Sequence, residues 1–364
     1  MNEKDLCLFR LISVADIGAS RFFMLLEKFG DVESILKAGR RDLMSVEGIG
    51  YAAAEGILNS SNSGKADREL EIAEKNNIEI ILYNSSAYPK SLIDFTDKPL
   101  VLYVKGNILE KDFDSISIVG SRKVSNYGKT VTSEFAAYFA KKGITIISGL
   151  ARGVDTISHV TTLENRSRTI AVLGNGLLVN YPPENAKLQE TISQNGAVIS
   201  EFPLNCQPDK GTFPRRNRII AGFSKATLLT EAALGSGACI TARICADYGK
   251  DVFSVPGNIY SNVSKGTNKL IQSGAFVALS PQDMAESLSW FPKDKFEVID
   301  NSLNLNKLEL SVLKLIESDS AGLPPDLIAH KLNINVSDMA TTLLNLEING
   351  LIKATPGQIY IRVY

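Results

Sequence analysis

Apolar side chains in the first 80 or so residues recur at helical spacing with few β-branched runs, as at Phe22, Phe23, Leu25, Leu26 and Phe29, and predict a set of short helices. From about 81 to 290 the pattern changes. Short β-branched runs (IEIILY, LVLYV, SISIVG, ITIISG, TIAVLG, AVISEF, ATLLTEA, DVFSVPG, AFVAL) alternate with amphipathic stretches. In one of these, SNYGKTVTSEFAAYFAKKG, Val131, Phe135 and Phe139 share a helix face. Strand and helix alternating in this way predict βαβ units in a doubly wound, mostly parallel α/β sheet. Residues 291–306 lose the apolar periodicity and read as a linker. Residues 307–364 show three helical patterns and a hairpin turning at Pro356-Gly357, the succession of a winged-helix domain.

A chain of 364 residues has room for two or three domains, each able to bury its own core. Hydrophobic residues at 44% and charged residues at 22% make it an ordinary globular chain rather than a fibrous or disordered one. The charged N-terminus lacks a signal-peptide apolar stretch and no run approaches bilayer length, which gives a cytoplasmic expectation with no membrane partner. Four scattered cysteines without C-x-x-C spacing, and two histidines, signal neither a metal site nor a disulfide framework. A net charge of −1 exerts no global pull on nucleic acid, so an electrostatic case for DNA has to rest on local clustering.

That clustering lies in the segments after the strands, which in an open α/β sheet line one ligand-binding crevice. After SISIVG comes Ser121-Arg122-Lys123-Val124-Ser125, after ITIISG comes Leu150-Ala151-Arg152-Gly153 following Gly149, and after ATLLTEA comes Leu234-Gly235-Ser236-Gly237 opening a helix. Glycine lets backbone approach an anion and a helix N-terminus offers free N–H groups, so phosphate is the expected guest. A further loop, Asp209 to Arg218, carries Lys210, Arg215, Arg216 and Arg218 around Phe213, with Asn217 among them. Charges for a backbone and a ring for an unstacked base suit a single strand. The alternative reading pairs Arg216 and Arg218 with acids such as Glu201 or Glu231 and puts Phe213 in the core.

Other motifs point less far. Gly48-Ile49-Gly50 between two helical stretches is either the phosphate-binding hairpin of a helix-hairpin-helix unit or a tight helix connection. Gly174-Asn175-Gly176 begins like a dinucleotide fingerprint without its third glycine, and no G-x-x-x-x-G-K-[ST] occurs. His159, four residues after Asp155, faces it if both lie on a helix, but no nucleophile accompanies them. The third helix of the C-terminal region, from Asn335 to Asn349, has Asp338 and Glu347 and no Lys or Arg, which argues against reading DNA and for binding protein or dimerising.

Taken in order across about residues 88 to 276, the segments Tyr88-Pro89, Asp97-Lys98-Pro99, Gly106, GSRKVSNYG, SGLARGVDTISH, YPPEN, SEFP, FPRRNRIIAG, TEAALGSGACITA and VPGNIYSNVSKGTNKLIQSGA resemble the DprA/Smf family of bacterial DNA-processing proteins. The resemblance implies an extended Rossmann-like fold, flanked by a small helical N-terminal domain (1–80, similar to a sterile-alpha-motif or helix-hairpin-helix unit) and the winged helix. It implies single-stranded DNA as ligand, loading of the RecA recombinase onto incoming strands in natural transformation, a homodimer through the Rossmann domain, and neither cofactor nor catalysis. Carried onto this chain, DNA contacts fall on Ser121, Arg122, Gly149, Arg152, Gly153, Lys210, Phe213, Arg216, Asn217 and Arg218, to which the segments after the strands add Ser125, Ser236 and Gly237. One departure is Arg166-Ser167-Arg168-Thr169 where the family often has a Gly-Gly-Thr turn, which adds positive charge. The alternative from another class is a Rossmann-like nucleotide hydrolase or phosphoribohydrolase, whose P-G-G-x-G-T-x-x-E pattern is missing from TEAALGSGACITA.

Overall fold

The computed structural model describes residues 2–14, 17–288, 305–319, 322–355 and 359–362. The chain forms two compact units, Met1–Trp290 and Phe291–Tyr364. Most of the linker expected at 291–306 and the turn at Pro356-Gly357 lie outside the described residues.

Six short helices (Glu3–Ile12, Ala19–Phe29, Val32–Lys37, Arg40–Met44, Tyr51–Asn59 and Lys65–Lys75) begin the first unit. Side-chain caps start two of them: Asn2 accepts from the Asp5 N–H and Asp31 from the Ser34 N–H. Gly48, at φ +77°, takes the left-handed turn that brings the chain from the fourth helix into the fifth, with Val46 and Ile49 buried beside it. These helices pack on one another and continue their core into the sheet region. Phe9, Phe22 and Leu25 belong to one cluster with Tyr103, Leu173, Ile192 and Val198 of the sheet region. Phe22 meets Tyr83 edge-on at 5.5 Å, and Glu69 accepts from the Leu204 N–H at 2.6 Å. The boundary expected near residue 80 therefore falls inside the first compact unit, whose helical part shares this cluster with the sheet region.

Nine strands form one sheet: β1 (Ile78–Leu82), β2 (Val101–Gly106), β3 (Ser115–Val119), β4 (Thr145–Ser148), β5 (Thr169–Val172), β6 (Ala197–Ser200), β7 (Ala226–Leu229), β8 (Asp251–Ser254) and β9 (Phe276–Val277). Their order is β1-β2-β6-β5-β4-β3-β7-β8-β9. From β6 to β9 every pairing is parallel, whereas β2 runs antiparallel to both β1 and β6. Strands β3 to β7 are buried at every position, which is why they read as continuous rather than alternating apolar runs. Strands β4, β5 and β6 extend to one side of β3 and β7, β8 and β9 to the other, so the strand order reverses between β3 and β7.

In the second unit, helices Lys307–Glu317, Pro325–Leu332 and Val336–Ile348 surround a small core of Val312, Ile316, Ile328, Met339, Leu343 and Leu346. Strands β10 (Ile352–Thr355) and β11 (Ile359–Arg362) pair antiparallel, and Leu323 bridges to Tyr360, giving a winged helix.

Candidate nucleic-acid crevice

Where the sheet reverses, the segments after β3 and β7 part and leave a cavity of about 380 Å³. Ser121, Arg122 and Lys123 form one wall, Ser236, Gly237, Ala238 and Thr241 another, and Phe213, Arg216 and Asn217 a third, with Asp155 at the bottom. Three cationic side chains thus face one acid. Seven of the thirteen residues expected from sequence meet here: Ser121, Arg122, Phe213, Arg216, Asn217, Ser236 and Gly237. Ser236 is the N-cap of helix Gly237–Asp247, and its hydroxyl donates to Cys239 Sγ rather than accepting from a helix N–H, so the start of that helix lines the cavity with N–H groups its cap side chain does not take.

The other six residues stand around this cavity in different roles. Gly149 comes so close to Arg216 that a Cβ there would sit 2.5 Å from the guanidinium. Gly153, at φ +81°, leaves no room for a Cβ against the Ser121 carbonyl. Ser125 caps helix Asn126–Lys141 through the Gly128 N–H and gives its own N–H and hydroxyl to Glu231. Arg152 is exposed and paired with Glu184. Lys210 is exposed beside the start of helix Thr212–Phe223. Arg218 is mostly buried and bonded to Glu201.

Several expectations are corrected. The segment expected to be a loop from Asp209 to Arg218 is helical from Thr212 onward, because Pro214 fits a first helical turn and Ile219, Ile220 and Phe223 then bury one face. Of the two readings for the arginines, Arg218 follows the acid pairing, with Glu201 and not Glu231. Arg216 is 5% exposed and donates to the Gly149 and Val172 carbonyls. Glu231 accepts from Ser125 instead of an arginine. Phe213 combines both readings: half-buried, it packs 5.6 Å from the Tyr181 ring and presents a face to the Arg122 guanidinium at 5.4 Å. Arg168 in the departing turn adds no free charge, since Asp112 and Asn107 hold it.

The floor was not legible beforehand. Asp155 accepts from the Gly149 and Ala151 N–H groups, closing the turn after β4 around Leu150, whose φ of +55° is costly for a branched residue. Asn185 donates to the Leu150 carbonyl and completes the clamp. Burial raises the Asp155 pKa above its usual value and pushes that of Arg216 down to about 10, with Arg122 adding to the latter by repulsion. His159 does not face Asp155. Its Nδ1 lies 2.7 Å from Thr169 Oγ1, whose hydrogen goes to the Ile146 carbonyl, so Nδ1 carries the proton and Nε2 is left buried with no partner among the described residues. No cluster of three or more His, Cys, Asp or Glu that could hold a metal occurs among the described residues, and no helix there is long and apolar enough to cross a membrane.

A doubly wound, mostly parallel sheet with a cationic, ring-bearing crevice at its switch point defines a Rossmann-like α/β protein carrying a winged helix. Residues 79–289 match the family described as DNA recombination-mediator protein A, and residues 300–358 match the DprA winged helix domain. The chain is 38% identical over 296 residues to protein Smf of Escherichia coli, covering 80% of this chain and 79% of that one. It is 41% identical over 198 residues to DNA processing protein DprA of Streptococcus pneumoniae, covering 54% of this chain and 70% of that one. The X-ray structure of DprA from Streptococcus pneumoniae superposes with a TM-score of 0.69 at 31% identity, covering 80% of this chain and 99% of that one. A structure described as giving insight into the single-stranded DNA binding mode of DNA processing protein A from Helicobacter pylori superposes at 0.53 and 32% identity, covering 58% and 96%. The chain belongs to the DprA/Smf family of DNA-processing proteins.

Proposed function

We propose that this chain binds single-stranded DNA in the switch-point crevice and passes the strand to the RecA recombinase in the cytoplasm, acting as a homodimer and without catalysing a reaction. The observation that carries the reading is the crevice lining: Arg122, Lys123 and Arg216 against the single carboxylate of Asp155, with the half-exposed ring of Phe213 among them. Cations along a backbone and a ring for a base are the two needs of an unpaired strand. Arg216 is fixed by two carbonyls and so offers a preorganised charge, while Arg122, Lys123 and Lys210 are exposed and free to follow the backbone. The relative whose structure concerns single-stranded DNA binding supports the choice of ligand.

Asp155 is committed to the Gly149 and Ala151 N–H groups, and Glu231 to Ser125, which supports a holding site over a hydrolytic one. The homodimer reading is supported by an apolar strip at the β9 edge of the sheet. There exposed Leu234, Ile240 and Phe276 line a cavity of about 520 Å³, and Val277 and Leu279 are exposed beyond Phe276.

If three or four cationic side chains meet phosphates, log affinity for an oligonucleotide falls against log salt with a slope of roughly −2 to −3. Anisotropy titrations over a range of salt measure it, and an affinity independent of salt would overturn the reading. For the RecA step, the expected outcome is faster RecA filament growth on a coated strand with the protein present. No change in that growth would remove RecA from the proposal.

A further inference from the structure

Beside the crevice lies a second recess of about 360 Å³, formed between the start of helix Asn126–Lys141, Glu231 after β7, whose carboxylate Ser125 holds, and the segment 256–264 that follows β8. The two share their walls. The segment after β3 gives Ser121, Arg122 and Lys123 to the crevice and Ser125 and Tyr127 to the recess. The segment after β8 gives Val263 to the crevice and Asn258, Ser261 and Ser264 to the recess. A strand leaving the crevice over the Ser121–Ser125 wall therefore arrives here.

The base of the 256–264 segment is fixed. Tyr127 donates its hydroxyl to the Pro256 carbonyl at 2.9 Å, and Asn268 holds Gly257 from both sides, accepting from its N–H at 3.1 Å and donating to its carbonyl at 2.9 Å. At the tip, Asn258 accepts from the Tyr260 N–H at 2.9 Å, making a tight turn that lifts Ile259 and Tyr260 into solvent at 70% and 86% exposure. An exposed aromatic is unremarkable alone. Here it stands on a pinned turn, between two residues that line the recess, with exposed Asn262 in the same segment and exposed Lys265 opening the helix after it. A ring held rigidly in water beside a polar recess and a cation has the make-up of a platform for an unpaired base.

We propose that Tyr260 and this recess form a second subsite on the strand's path, the ring stacking on a nucleobase just outside the crevice and Asn258, Ser261 and Ser264 offering hydrogen bonds to its edge. The proposal rests on the crevice reading above and extends the bound length of strand beyond it.

The test compares Tyr260→Ala and Tyr260→Phe with the unaltered full-length protein, using oligo-dT of about 5 and about 15 nucleotides, lengths within the range of a single binding platform. The expected result is a loss of about fivefold or more for Tyr260→Ala on the long strand only, with Tyr260→Phe close to the unaltered protein. Unchanged binding of both lengths, or equal loss on both, would overturn the subsite. Arg122→Ala run in parallel weakens both lengths if the crevice holds the strand. A neutral Tyr260→Ala beside a weakened Arg122→Ala protein thus rejects this subsite alone, whereas a neutral Arg122→Ala protein rejects the crevice.

Discussion

Phe213 and His159 show how differently two residues of one region bear on function and stability. The ring of Phe213 is half-covered by Tyr181 and Gly174 yet still faces the cavity, so Phe213→Ala removes both packing and a stacking surface. The expected cost in single-strand affinity is about 1 to 3 kcal/mol, read by titration at fixed salt, and unchanged affinity would return the ring to a purely structural role. His159 sits below the crevice, where burial holds its pKa down to about 3 from the ordinary 6.5. A folded-state pKa that is lowered means the unfolded chain takes up the proton first. The contribution of His159 is therefore complete above pH 6.5 and is lost as pH falls from 6.5 toward 3, at up to about 1.4 kcal/mol per pH unit. Urea midpoints at pH 7 and pH 5 should diverge more in the unaltered protein than in His159→Gln. Equal pH dependence of the two would contradict this.

At the scale of elements, helix Thr212–Phe223 carries two unlike kinds of arginine. Arg216 addresses the cavity, while Arg218 forms a nearly buried pair with Glu201 behind it. Arg218→Met leaves the Glu201 carboxylate with Arg215 at 3.7 Å as its remaining cation, and the expected loss of stability is about 3 kcal/mol. Arg218→Met should alter the salt slope of DNA binding less than Arg122→Ala does. A slope change as large as that of Arg122→Ala, with stability intact, would place Arg218 on the strand instead. The strands and their parallel pairing were legible because fully buried β-branched runs between amphipathic segments have few other solutions. The start of this helix was not. Lys210, Gly211 and Pro214 resemble loop punctuation, and nothing local reveals that Pro214 lies in the first turn of a helix. In the same way, the sequence marked Gly149, Gly153 and Gly174 as glycines for an anion, but their missing Cβ atoms make room for Arg216, Ser121 and Phe213. Which neighbour fills the space beside a glycine depends on tertiary packing, which spacing does not encode.

For the whole molecule, the shared core between the first six helices and the sheet makes residues 1–290 one cooperative body. A chain beginning at residue 77 would strip Phe9 from Tyr103, Phe22 and Phe23 from Tyr83, and Glu69 from the Leu204 N–H, and would open the cluster they share with the sheet region. It should unfold at markedly lower urea than residues 1–290, by at least about 3 kcal/mol, in line with exposing several large apolar side chains at about 1.5 to 3 kcal/mol each. Equal stability would make the N-terminal helices a separate domain after all. At the opposite edge of the sheet, Ile240→Asp puts a charge into the apolar strip and should shift the protein toward monomer in light scattering if that strip joins two copies. The winged helix keeps its own core and presents on its last helix exposed Leu344 and Ile348 with Asp338 and Glu347, a surface unsuited to a phosphate backbone.

The crevice is tested most directly by binding of single-stranded and duplex DNA at several salt concentrations, with the unaltered protein and with Arg122→Ala. The expected result is preference for the single strand, a slope of roughly −2 to −3 for the unaltered protein, and weaker binding with a shallower slope, by about 0.7, for Arg122→Ala. Equal binding of both forms of DNA, unaffected by the substitution, would contradict it.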